Sequence, residues 1–162
     1  MRSSPAAWMA PAALTLLLAA WPARADFIPW TYSWSNNPAD ILADNPIGGG
    51  RISLSSESSH QVVGDSDIVA TNIRTFSSAP PSAPDTFTQK SYMLALGLKD
   101  DNSGQSGITI FTGVFNGTLT AESSNITNKF TSPTTQVLVL GGNTYTITLN
   151  AYTPPGPVGS TN

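Results

Sequence analysis

Apolar and polar residues alternate along the chain from Asp26 onward, in short runs, and no stretch shows sustained 3.6-residue spacing. The clearest run is Lys90–Lys99, KSYMLALGLK. An extended backbone there sets Tyr92, Leu94, Leu96 and Leu98 on one face and Ser91, Met93, Ala95 and Gly97 on the other. Shorter runs group Ile52 with Leu54, Ile108 with Ile110, Val137 with Val139, and Tyr145 with Ile147 and Leu149. Clusters of Gly, Pro, Asn, Asp and Ser punctuate them, as turns do between strands. Many short strands with turn signals predict an all-β fold, an antiparallel β-sandwich of Ig-like or jelly-roll-like shape. Its core is expected to hold Tyr92, Leu94, Leu96, Leu98, Ile108, Ile110, Tyr145, Ile147 and Leu149.

Two hairpins follow from local chemistry. In Gln136–Leu149, Gly141-Gly142-Asn143 supplies residues tolerant of positive φ between two β-prone arms. The polar loop Asp100–Ser106 joins Lys90–Lys99 to a strand starting at Gly107. Pro80-Pro81-Ser82-Ala83-Pro84-Asp85 reads as a stiff connector carrying the chain from one sheet to the other. Between Ile108 and Ala121 the apolar phase switches, so either Asn116-Gly117 turns a hairpin or Gly113 marks a bulge in one long strand. Thr118 and Thr120 are expected to face away from the apolar side, and Thr127 to lie on a returning strand.

The first 25 residues differ from the rest. Arg2, the apolar run Ala12–Trp21 and the small-x-small ending Ala23-Arg24-Ala25 have the layout of a cleavable secretory signal helix, with cleavage after Ala25. The run is too short to span a bilayer, and Pro22 breaks it. The expected organisation is a signal peptide over 1–25 and a single β-sandwich domain over 26–162, with no membrane span after signal removal. Of the 162 residues 137 then remain, keeping all ten acidic residues but five of the seven Lys and Arg, for a net charge of −5. That balance disfavours nucleic acid and anionic lipid as partners. The chain has no cysteine, so neither disulfides nor thiolate metal sites stabilise it.

Candidate chemistry is sparse. His60 is the only histidine, and its neighbours Ser55, Glu57 and Ser59 form no nucleophile motif. The expected role of His60 is that of a polar residue at a strand edge. Asp100, Asp101 and Asn102 resemble the opening of a calcium loop, but the further oxygen ligands and closing glutamate are missing, so a plain turn is expected and no cofactor is implied. An enzyme would have to draw its acids from Asp65, Asp67 or Glu122, which no motif pairs. Trp30, Tyr32 and Trp34 alternate in PWTYSWS and so share one face of a strand. Buried, they are core; exposed, they are a stacking platform for sugar rings, and burial is the expectation for rings of that size. Asn116-Gly-Thr118 and Asn125-Ile-Thr127 match the glycan-acceptor pattern but are expected to be turn and strand residues of a threonine-rich sheet surface.

The stretches PWTYSWSNNPADIL, NPIGGGRISL, GDSDIVATNIRTFS, APDTF, SGQSGITIFTGVFNGTLT, NITNKFTSPTTQVLVLGGNTYTITL and YTPPGPVGS together resemble a group of uncharacterised bacterial exported proteins, some associated with PEP-CTERM sorting tails. The resemblance spans about Asp26 to Ser160 and carries no catalytic motif. It implies at least one further strand beyond GPVGSTN, so that the domain lacks its last strand here, and the tail itself is not in the sequence. It also implies one continuous strand over 107–121, which favours the bulge. The export signal, the strand-rich chain and the missing catalytic set lead to the expectation of a secreted or cell-surface, non-enzymatic structural protein, with extracellular polysaccharide or other surface proteins as its partners. The alternative is a carbohydrate-binding module using Trp30, Tyr32 and Trp34.

Overall fold

A computed structural model describes residues 27–155. The signal segment 1–25, its cleavage point and the chain after Pro155 lie outside the described residues. Ten strands and no helix occupy the described region: β1 (Pro29–Asn37), β2 (Asp40–Leu42), β3 (Arg51–Leu54), β4 (Glu57–Val63), β5 (Ile73–Phe76), β6 (Asp85–Asp100), β7 (Ser106–Leu119), β8 (Ser124–Phe130), β9 (Thr135–Leu140) and β10 (Asn143–Thr148). They pair into a five-stranded sheet of order β4-β1-β6-β7-β8, a three-stranded sheet β2-β3-β5 and the hairpin β9-β10. Every pairing is antiparallel.

The sheets pack as a sandwich with one divided layer. Trp34, Leu94, Leu96 and Phe111 from the five-stranded sheet share one core with Ile41, Ile52 and Leu54 from the three-stranded sheet, and Leu138, Tyr145 and Ile147 of the hairpin pack against it. The chain shuttles between layers: β1 and β4 belong to the large sheet, while β2, β3 and β5 belong to the small one. The proline-rich connector after β5 carries it back to β6, as expected. There Asp85, fully buried, accepts hydrogen bonds from Gly48 N at 3.0 Å and Ser77 Oγ at 2.7 Å. Gly50 packs against that carboxylate so closely that a Cβ would lie 2.5 Å from it.

Both expected hairpins form. Asn143 pairs with Leu140 across the two-residue loop Gly141-Gly142, whose φ values of 59° and 85° need glycine. Lys99 pairs with Ser106 across the Asp100 loop. Strand β7 is continuous, and the bulge lies on the facing strand. Phe87 pairs with Gly117 and Lys90 with Phe115, so Thr88 and Gln89 together oppose the single residue Asn116, and Gln89 takes a φ of 50°. Asn116 Oδ1 accepts from the Gln89 backbone N–H at 2.8 Å and fills the gap in the ladder. Gly113 has a different role: the Tyr92 ring lies over it, where a Cβ would stand 2.4 Å from the hydroxyl.

The core expectation holds on β6 and fails on β7. Tyr92, Leu94, Leu96 and Leu98 are buried, and Tyr145, Ile147 and Leu149 are half-buried against them. Ile108 and Ile110 are 68 % and 46 % exposed, because Leu96 and Leu94 pair with Thr109 and Phe111 and so commit the odd-numbered residues of β7 to the interior. Val137 and Val139 face outward for the same reason of phase, with Leu138 and Leu140 turned in against Gly107. Thr120 is buried rather than outward; its hydroxyl closes the β7–β8 turn by accepting from the N–H groups of Glu122 and Ser123. Thr127 lies exposed on β8, the returning strand, as expected.

Candidate functional site: a cleft between the divided layers

Placement of β1 inside the sheet decides the fate of the aromatic row. With β4 on one side and β6 on the other, Tyr32 stands between His60 and Leu98, and Trp34 between Glu57 and Leu96. Trp30, Tyr32 and Trp34 all point to the inner face. Tyr32 is 9 % and Trp34 3 % exposed, while Trp30 is half-buried. The rings contact each other and their neighbours at centroid distances of 5.7 Å (Trp30–Tyr32), 6.0 Å (Trp34–Phe111) and 6.3 Å (Trp30–Tyr145). The row is therefore core and cleft wall. The flat solvent-facing platform that the sugar-binding alternative needs is not formed, since stacking on a sugar requires an open ring face and two of the three rings have none.

A cleft of about 1020 Å³ opens where the second layer is divided. Its floor is the inner face of the large sheet, with Trp34, Leu94, Leu96 and Leu98. One wall is β10 and the segment after it, with Tyr145, Ile147, Leu149 and Tyr152; the other is the segment 64–73, the connection from β4 together with the first residue of β5, with Ile68 and Ile73. Polar atoms of the lining rings bond within the protein: Trp30 Nε1 donates to Gly64 O at 2.8 Å, and Tyr92 Oη to Asn128 Oδ1 at 2.8 Å. Tyr145 Oη donates to Asp100 Oδ2 at 2.9 Å and Tyr152 Oη to Ile126 O at 3.3 Å. Burial holds the Tyr92 and Tyr145 hydroxyls neutral, with pKa values pushed up to about 12; in Tyr145 the adjacent Asp100 charge adds to the effect, and Tyr152 is raised for reasons of burial as well. Trp34 Nε1 is buried without a hydrogen-bond partner.

Beside the cleft, the two aspartates of the suspected calcium loop hold the fold together. Asp100 is fully buried; its Oδ1 accepts from Ser103 N at 2.8 Å, and its Oδ2 from Asn143 Nδ2 at 2.6 Å and Tyr145 Oη. These donors, the Ser103 N–H foremost, lower its pKa to about 2. Asp101 accepts from Gln61 Nε2 and Thr31 Oγ1, both at 2.8 Å, and meets Lys99 Nζ at 3.2 Å; its pKa is lowered too, chiefly by Gln61. The carboxylate oxygens thus face protein donors, and the loop is a turn that ties β6 to β1, β4 and β10. Among the described residues no three His, Cys, Asp or Glu side chains gather as metal ligands.

The remaining candidates do not converge. His60 sits exposed on the edge strand β4, where Glu57 Oε1 lies 2.7 Å and Ser58 Oγ 3.4 Å from the same ring nitrogen, Nε2. A nucleophile relay would need the acid on one nitrogen and the hydroxyl on the other. Asp65 and Asp67 stand on the cleft segment 64–73, and Glu122 in the β7–β8 turn. The cleft itself escapes sequence reasoning, since 64–73 lacks alternation and Tyr152 follows the last strand with no pattern to mark it. Compared with protein-family models, curated proteins and solved structures, the chain matches none of them.

Proposed function

We propose that the protein is an exported, non-enzymatic β-sandwich that serves a structural or surface role outside the cell, in contact with extracellular polysaccharide or other surface proteins. The observation that carries this reading is the use made of the buried carboxylates. Asp85 and Asp100, both fully buried, sit at the two ends of β6; each accepts from a backbone and a side-chain donor, and each reaches a distant segment, Asp85 through Gly48 N and Asp100 through Asn143 Nδ2. These groups cross-brace a chain that has no cysteine, which suits a domain that must hold its shape outside the cell without disulfides. The three-part leader over 1–25 and the resemblance to uncharacterised exported bacterial proteins, some of them associated with PEP-CTERM tails, support the same reading.

The test is to express the full gene in a bacterial host, label intact cells with an antibody to the domain, and sequence the N-terminus of the labelled material. Surface or secreted protein beginning at Asp26 is expected. Protein retained in the cytoplasm and beginning at Met1 overturns the reading.

A further inference from the structure

We propose that the cleft is a binding site for a small apolar or amphiphilic molecule whose polar end is uncharged or cationic. Its volume, about 1020 Å³, lies at the upper end of small-molecule sites, which run to roughly 1,000 Å³. Its floor and inner walls are mainly apolar, with threonine and asparagine side chains of β10 and the segment after it interspersed along the lining. The indole N–H of Trp30 and the hydroxyls of Tyr92, Tyr145 and Tyr152 are all engaged within the protein, so these rings present apolar surface and no spare donors. Two apolar side chains of the lining are exposed, Phe27 at 75 % and Val69 at 58 %.

Charge sets the polar end. Asp65 and Asp67 are exposed on the lining segment, and no Lys, Arg or His lines the cleft among the described residues. A carboxylate or phosphate entering beside them would meet like charge with no cation to receive it, whereas a hydroxyl or quaternary ammonium would not. The inference rests on the cleft alone and stands whether or not the protein is exported.

Both tryptophans of the chain after residue 25, Trp30 and Trp34, line the cleft, so intrinsic emission reports its occupancy. The experiment titrates the purified protein at pH 8, below micelle concentrations, with 1-decanol, decyltrimethylammonium and decanoate, followed by tryptophan fluorescence and calorimetry. Saturable one-to-one binding of the first two is expected, with decanoate at least tenfold weaker. Ile147→Asp, on the half-buried wall, should weaken decanol binding at least tenfold while circular dichroism stays that of the folded protein. The exposed pair Asp65→Lys with Asp67→Lys leaves the core untouched and should raise decanoate to parity or above. No saturable response to any probe overturns the proposal, as does decanoate binding as tightly as decanol in the unaltered protein, or decanoate affinity unmoved by the double lysine variant.

Discussion

Replacing Trp34 separates three contributions of one side chain. The indole is 3 % exposed and packs against Phe111, with Leu96 beside it on the next strand. Truncation to alanine removes nearly all of that contact and leaves a void at the centre of the sheet, a change that costs about 3–5 kcal/mol. The whole domain is expected to have only about 5–15 kcal/mol. Phenylalanine is a different case. It gives up ~40 Å² of buried ring and opens a small cavity, together about 1–2 kcal/mol, but also removes an N–H that is buried without a partner, a burden of about 1–3 kcal/mol. The two offset, so Trp34→Phe should lie within about 1 kcal/mol of the parent. Urea unfolding followed by far-ultraviolet circular dichroism measures both. With a slope of about 2 kcal/mol per molar, the alanine variant should lower the midpoint by about 2 M and the phenylalanine variant by less than about 0.5 M. A phenylalanine variant as damaged as the alanine one would refute the reasoning, since it would mean that the indole N–H has a partner in the fold. An alanine variant within about 1 kcal/mol of the parent would refute the burial itself.

Three further outcomes are expected. Asp100 binds its proton less tightly in the fold, at about 2, than an ordinary carboxylate at 3.8, so it stabilises the native state above pH 4 and that contribution is lost as pH falls from about 4 towards 2. Asp100→Asn should lower stability at pH 7 and flatten the acid-unfolding curve in that window; Asp44 and Asp101, also lowered, leave part of the slope in place. Gly113→Ala should cost about 1–3 kcal/mol by thermal unfolding, because the new Cβ strikes a Tyr92 ring held by Asn128 and stacked on Phe115 at 4.6 Å. Ile108→Thr should change stability by no more than about 0.5 kcal/mol, against about 3–5 kcal/mol for its near neighbour Phe111→Ala; equal costs would contradict the assigned phase of β7.

Much of the strand plan was legible because it is written locally. The Gly141-Gly142 turn announces itself through residues that accept positive φ, and β6 alternates without interruption from Tyr92 to Leu98. Strand β7 misleads for a physical reason. Its inner face includes Gly107 and Gly113, whose missing side chains are replaced by Leu138 and Tyr92 reaching across, so that face reads as weakly apolar while outward Ile108 and Ile110 stand out. Phase there is fixed by pairing with β6, not by its own composition. The roles of Asp100 were hidden for a related reason: a turn former and a buried hydrogen-bond hub look alike until Asn143 and Tyr145, more than forty residues later, are known to reach it. The cleft depends wholly on such long-range placement, with walls from 64–73 and from β10 onward.

The interior position of β1 has a consequence in time. Synthesis delivers β1 first, and β4 completes one flank 23 to 34 residues later, as the pairs Trp34–Glu57 and Pro29–Val63 show. The other flank waits for β6, whose partners Leu96 and Asp100 follow Trp34 and Trp30 by 62 and 70 residues. At about 5–20 residues per second that interval lasts about 3–14 s. Through it the strand keeps an open backbone edge beside its aromatic row, even as β2, β3 and β5 of the facing layer emerge, and an open edge is where nascent chains join one another. Variants that quicken β1–β4 pairing should therefore raise the yield of folded protein while leaving its final stability unchanged.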